Sequence, residues 1–288
     1  MSAAAALEDP RERGRAARVA LAALKTPSFA VGAGIVLFWL LCALFGEYFT
    51  PYDPLADDII NSLAPPSAEH WFGTDQLGRD VFSRVIVGAR DILTVAPLAT
   101  LIATIAGTAL GLTIGYFRGI VDEVVSRILE AFMAMPVVVV ALLAIVALGT
   151  STWTVVSVIG LSFAPVIART VRSAVLSERE LDYVAAAKLR RESALWIMFA
   201  EILPNVLPPI LVEMTVRLGY AIFAVATLSF MGFGIQPPSP DWGLSVSANY
   251  GMIAGGFWWT VLFDATAIAT LVVGVNLMAD GFAAALND

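Results

Sequence analysis

Six stretches of this chain are long and apolar enough to cross a bilayer as helices, near residues 28–48, 92–116, 126–148, 152–171, 206–231 and 259–282. About 20 predominantly apolar residues, at a rise of roughly 1.5 Å each, span the hydrocarbon core. Lipid offers no water to exposed backbone N–H and C=O groups, so stretches of this length satisfy them as helices. The composition agrees: 59% of the 288 residues are hydrophobic, 14% are charged, and the mean hydropathy is +0.82, beyond what a soluble domain carries. The predicted fold class is an all-α integral membrane bundle of six transmembrane helices.

Orientation follows from where Lys and Arg fall, and the formal net charge of −7 has no bearing on it. Arg11, Arg13, Arg15, Arg18 and Lys25 precede the first span. Arg118 and Arg127 lie between the second and third, and Arg169, Arg172, Arg179, Lys188, Arg190 and Arg191 between the fourth and fifth. The opposite side has only Arg79, Arg84 and Arg90. This bias predicts an N-in, C-in topology: a cytoplasmic tail at 1–27, a first transmembrane helix at 28–48 read as an uncleaved anchor, an extracytoplasmic loop at 49–91, and a five-helix core at 92–288. Within the outer loop, Leu77, Val81, Val85 and Ile86 recur at helical spacing. They predict a short amphipathic helix beginning near Leu77 and lying along the outer face. Gly149-Thr150-Ser151 predicts a tight turn between spans three and four.

Several function classes are excluded by what the chain lacks. With one cysteine, Cys42, and one histidine, His70, it builds neither a disulfide framework nor a Cys/His metal cluster. Cys42 reads as a packing residue, and His70 as a lone surface histidine beside a Trp-Phe pair rather than a metal ligand near Asp75. Lys25 and Lys188 are the only lysines, and neither sits in a GxxxxGK[ST] loop, so the chain reads as non-catalytic with respect to ATP. An intramembrane enzyme needs a nucleophile with its base, or a metal set, at membrane depth, and the membrane acids here are scattered. A secondary transporter remains an alternative, against which stand the missing inverted repeats and an unusually long inner loop. Nothing points to a nucleic-acid partner; the lipid bilayer is the one partner composition establishes.

That inner loop, 172–204, exceeds what two neighbouring helices need for a connection, and it reads as a helical hairpin. Ser177 with Glu180 matches a capping box, followed by an apolar stripe at Leu181, Val184, Ala185 and Leu189. Ala185, Ala186 and Ala187 form a small-residue surface for a partner's close approach, with Lys188, Arg190 and Arg191 available to its acidic groups or, alternatively, to lipid headgroups. Within the spans, Glu213 and Arg217 stand four apart, either as a polar patch on a path or a subunit seam, or as a self-neutralising pair. Asp264 falls near the outer end of span six, where a wet vestibule or the interface would solvate it. Pro136 and Pro165 predict bends, and Gly107, Gly111 and Gly115 a face for close helix approach.

Asp182-Tyr183-Val184-Ala185-Ala186-Ala187, followed by Ile202-Leu203-Pro204-Asn205, resembles the EAA loop of ABC-importer permeases, the element that docks into a groove on the ATPase subunit. Phe72-Gly73-Thr74-Asp75-Gln76-Leu77-Gly78-Arg79-Asp80, with Arg84 and Gly88-Ala89-Arg90, is similar to the outer segment of the C-type permease of dipeptide and oligopeptide importers. Leu228 to Pro238 with Trp242-Gly243, and Asn276-Leu277 with Asp280-Gly281, resemble that family's later segments. The resemblance implies the ABC type I importer permease fold in a bacterial inner (plasma) membrane. It also implies a heterodimer with a sister permease forming the peptide path, and two ATPase domains, in one or two chains, which carry ATP and Mg while this chain carries no cofactor. An extracytoplasmic solute-binding protein would deliver the solute, and related permeases serve metal chelates, haem or other small solutes. The coupling-loop residues it marks are Glu180, Asp182, Tyr183, Ala185, Ala186, Ala187, Lys188, Arg190 and Arg191; its outer motif is Asp75, Gly78, Arg79 and Asp80. Ala185 stands where the family has Glu, and Arg191 where it has Gly. Because Arg is strained at positive φ, the second departure predicts a hairpin that turns differently or continues as helix.

Overall fold

In the structure, a computed structural model describing residues 26–287, the apolar stretches are helical. The helices are α1 (Pro27–Phe49), α2 (Val81–Phe117), α3 (Gly119–Met133), α4 (Val137–Leu148), α5 (Thr152–Glu178), α6 (Asp182–Leu189), α7 (Ala194–Phe230), α8 (Trp242–Asn249) and α9 (Trp259–Asn287). Five of them, α1, α2, α5, α7 and α9, are long and apolar enough to cross a membrane, and α3 with α4, bent by 91° at their break, is either a broken sixth span or a re-entrant loop. Among the described residues there is no strand, only an isolated bridge between Thr74 and Asp80. Arg11, Arg13, Arg15, Arg18 and Lys25 lie outside the described residues.

α2 and α5 form the centre of the bundle because their facing residues are too small to hold them apart. A Cβ on Gly107 would stand 2.7 Å from the Ala164 carbonyl and 2.7 Å from Ile167 Cβ; one on Gly111 would stand 2.6 Å from Val171, and one on Gly115 2.8 Å from Val175. Gly160 repeats the arrangement from the other helix, against Ala99 and Ile102. In lipid there is no hydrophobic drive between helices, so this backbone approach and its dispersion contacts supply the association. α1 lies on the outside against α9, where Gly32 meets the backbone of Gly274 and Met278 and Trp39 donates to Thr270 at 3.1 Å.

Four local expectations change. The helix expected as a separate surface element near Leu77 begins at Val81, where Asp80 caps it by accepting from the Ser83 N–H, and it runs unbroken to Phe117 as the outer end of α2. Val81 and Val85 are therefore buried in the bundle. Pro136 ends one helix and starts another, its extended backbone cutting span three in two, because the residue before Pro is steered away from helical geometry. Pro165, by contrast, lies buried inside a continuous α5. That helix extends to Glu178, so Ser177 sits in its last turn and the capping box does not form; α6 starts after Leu181 with no side-chain cap.

The seam makes a contrast measurable. Gly111→Leu is expected to destabilise the protein by roughly 1–3 kcal/mol through overpacking, seen as a lowered melting temperature and loss of the monodisperse peak in detergent. Gly34→Leu, with nothing within 4 Å of its added Cβ, is expected to leave both unchanged.

Candidate functional site

At the inner end, α6 is short and held on two sides. Val184 and Ala187 are buried in the same cluster as Ile197, Met198 and Ile202 at the start of α7, while Asp182, Ala185, Ala186, Lys188 and Leu189 are exposed. Tyr183 donates to Glu178 at 2.8 Å. Burial, and then that carboxylate, push its hydroxyl up to about 12, so it remains a neutral donor tying α6 to the end of α5. Glu180 meets Arg118 at 3.1 Å and Arg179 at 3.3 Å, and Arg179 donates to the Tyr116 carbonyl at 2.5 Å, capping α2. Arg190 bridges Glu192 at 2.7 Å and Glu201 at 3.0 Å.

The turn after α6 corrects the expectation for Arg191. Its φ is +58°, its N–H donates to the Lys188 carbonyl at 3.0 Å, and the Glu192 N–H donates to the Ala187 carbonyl at 3.2 Å. Those two bonds are the Schellman pattern that a glycine ordinarily closes, so the tight turn is retained and the arginine adopts it. The Arg190 ion pairs and the buried Ala187 hold the chain there on both sides of the strained residue.

Midway up the bundle, α5 carries a polar face opposite its glycine seam: Ser162, Arg169, Thr170, Ser173 and Ser177, spaced at helical intervals and none of them buried. α7 faces it with Glu213, Arg217 and Tyr220. Arg217 donates to Glu213 at 2.6 Å and lies over the Tyr220 ring at 4.8 Å, while Thr170 reaches Glu213 at 3.5 Å. Cavities of about 450 and 500 Å³ open along this wall. Arg217 borders the first of these cavities and is held by Glu213 in a local ion pair on α7. Sequence reasoning missed Arg169, assigned to the inner loop, and the serine stripe; its signal was the recurrence of Thr170, Ser173 and Ser177 at steps of three and four. It also missed Asp122, whose two oxygens take Arg172 in a fork at 2.6 Å each.

The outer motif works as a staple. Asp75, 1% exposed, accepts from the backbone N–H groups of Leu77 and Arg79 at 2.8 and 3.0 Å and pairs with Arg79 at 2.7 Å. Gly78 has φ +78°, and a Cβ there would lie 1.7 Å from the Asp58 carbonyl oxygen, which leaves room for glycine alone. Asp80 joins the α2 cap to His70 at 2.9 Å, so His70 is a mostly buried carboxylate partner and not a lone surface residue. Arg84 reaches Pro54 and Ser245 at 3.0 and 3.1 Å. Asp264, expected to be solvated, is 2% exposed. Its carboxyl is electrostatically coupled to Arg84, Asp241 and Asp75, and its Oδ1 has no hydrogen-bond partner among the described residues. No three His, Cys, Asp or Glu side chains are grouped to hold a metal among those residues.

Two measurements follow from these details. Arg191→Gly relieves a left-handed conformation costing about 1–2 kcal/mol but frees the unfolded chain; a net gain of roughly 0.5–1 kcal/mol in thermal unfolding is expected, and Arg191→Val should lose stability. Asp241 caps α8 through Leu244 at 2.9 Å, and burial pushes its carboxyl up to about 6, above the ordinary value near about 4. Its contribution is therefore fully present below about pH 4 and lost as pH rises through about 6. Asp241→Asn keeps the cap, so its melting temperature is expected to fall less than that of the unaltered protein between pH 4 and 7.

Comparison with known proteins agrees with this architecture. Residues 107–288 match the family model of the binding-protein-dependent transport system inner membrane component, and residues 19–66 that of the N-terminal TM domain of oligopeptide transport permease C. The dipeptide transport system permease protein DppC of Alkalihalophilus pseudofirmus is 39% identical over 89% of this chain and 84% of that protein. Its Bacillus subtilis counterpart is 36% identical over 89% and 80%. The glutathione transport system permease protein GsiD of Pectobacterium atrosepticum is 34% identical over 90% and 86%. The solved inward-facing MetNI methionine ABC transporter superposes with a TM-score of 0.56 at 18% identity, covering 70% of this chain and 96% of that one, a likeness of fold. With its five to six apolar spans, its exposed inner helix and its stapled outer loop, the chain belongs to the family of binding-protein-dependent transport system inner membrane components, the membrane-spanning permease subunits of ABC importers.

Proposed function

We propose that this chain, paired with a sister permease, forms the path by which dipeptides or short oligopeptides are imported, and that α6 is where ATP-driven motion enters it. The observation carrying the reading is α6 itself: a helix with Ala185, Ala186 and Leu189 exposed on one side and anchored on the other to α7, while Glu180, Arg179 and Tyr183 tie it to the ends of α2 and α5. A partner seated on the alanines would move all three long helices together. The chemistry of ATP and Mg belongs to two partner ATPase domains, and this chain contributes no catalytic residue. A solute-binding protein delivers its cargo to the outer loops. Closure of the ATPases then turns the bundle outward, solute enters, and hydrolysis restores the inward state.

The peptide assignment rests on what the relatives' names say they transport; a metal chelate or haem is the second reading, since selectivity for either would reside largely in the binding protein. In proteoliposomes holding the complete transporter, Ala186→Trp is expected to cut uptake of a labelled dipeptide at least tenfold and to abolish stimulation of ATP hydrolysis by the binding protein, with the subunits still co-purifying. Uptake at the unaltered rate would remove α6 from the coupling role. Uptake of a chelate but no peptide by the unaltered complex would replace the substrate and leave the coupling intact.

A further inference from the structure

Among the described residues, Arg169 is the one charged group on the α5–α7 wall without a partner. It borders three neighbouring cavities, of about 450, 500 and 140 Å³, and its side chain is exposed to them. The other cations on that wall are already satisfied: Arg172 holds Asp122 at 2.6 Å, and Arg217 holds Glu213 at 2.6 Å. Glu130, which borders the smallest cavity, is taken by Arg127 at 3.2 Å. Among the described residues Arg169 has neither an ion-pair nor a hydrogen-bond partner, so the wall carries one net positive charge. It stands three residues, about 4.5 Å, further into the bundle than Arg172, where an unpaired charge is costly unless water or an anion meets it.

The surroundings point to what meets it. Thr170, Ser173 and Ser177 line the larger cavity, and Tyr220 lines the other beside Arg217. The Glu213–Arg217 pair is locked to itself and to the Tyr220 ring, so it offers no competing charge of its own. A guanidinium is a planar fork that fits a carboxylate with two parallel bonds. We propose that Arg169 is a carboxylate-recognising residue of the translocation path, the fixed cation to which the C-terminal carboxylate of a passing peptide binds on its way along the α5–α7 wall. This rests on the peptide-import reading above. Because binding must be weak enough to release, the single fork without a second cation beside it suits a transit site rather than a trap.

The test uses the complete transporter, with its binding protein, in proteoliposomes, and compares a labelled dipeptide with the same dipeptide carrying a C-terminal amide. Arg169→Gln is expected to lower import of the free acid by roughly tenfold or more, the scale of one charge-assisted contact, and to lower import of the amide far less. Arg169→Lys, which keeps the charge and loses the fork, is expected to recover part of the free-acid rate. Free-acid import by Arg169→Gln at the unaltered rate would overturn the proposal. So would an equal loss for acid and amide, or failure of the sister permease to co-purify, since either would make Arg169 a seam residue paired with a carboxylate of the sister chain. If the unaltered complex imports neither peptide, the peptide reading itself falls.

Discussion

The close approach of α2 and α5 is the constraint on which the other parts rest. Gly107, Gly111 and Gly115 press α2 onto Ala164, Ile167, Val171 and Val175, and Gly160 returns the contact. One face of α5 is thereby sealed, and its serines, Thr170 and Arg169 are turned toward open space and α7. The same seam makes α2 a rigid strut: its outer end is held by Asp80, His70 and Arg84, its inner end by Arg179. Packed helix, rather than loops, thus connects the inner end of α2 beside α6 to its outer end, and close-packed elements shift as bodies.

Charge is handled by local pairing almost everywhere. Asp122 with Arg172 and Glu213 with Arg217 neutralise within one or two helices, and Asp75 with Arg79 within the outer loop, which limits the cost of putting them in or near lipid. The outer cap departs from this economy, with Asp241 and Asp264 buried beside a single Arg84. The burial that raises Asp241 is the same burial that fixes α8 and Trp242 against the Val85 carbonyl at 2.8 Å.

Much of this was legible in the sequence, and what was not has identifiable causes. The spans could be read because an apolar run of sufficient length has one outcome in lipid, and the glycine face because its spacing is helical. The start of α2 was not legible, because Val81 and Val85 carry the same period whether the helix lies on a surface or enters the bundle. Pro136 and Pro165 look alike in sequence, yet one breaks a span by 91° and the other is absorbed in α5; neighbouring packing decides. Arg169 was placed in the inner loop because the Lys/Arg count locates sides of the membrane and not depth within it. Asp264 reads as solvated until Arg84, far away in sequence, is brought beside it. Arg191 obeys the packing of Ala187 and the Arg190 ion pairs over its own backbone preference, and no propensity reveals that. The coupling role proposed for α6 was suggested in the sequence by a resemblance, whereas the α5–α7 wall came into view only with the fold.

The central claim is that this chain is one membrane subunit of a transporter driven by ATP hydrolysed in another chain. The most direct measurement is purification of the tagged protein in mild detergent from its native membrane, with mass spectrometry of the copurifying chains and an ATPase assay on the eluate. The account predicts a second permease and ATP-hydrolysing chains, and ATPase activity that travels with them. A protein that purifies alone and stably under several extraction conditions, with no ATPase chain and no activity, would contradict it.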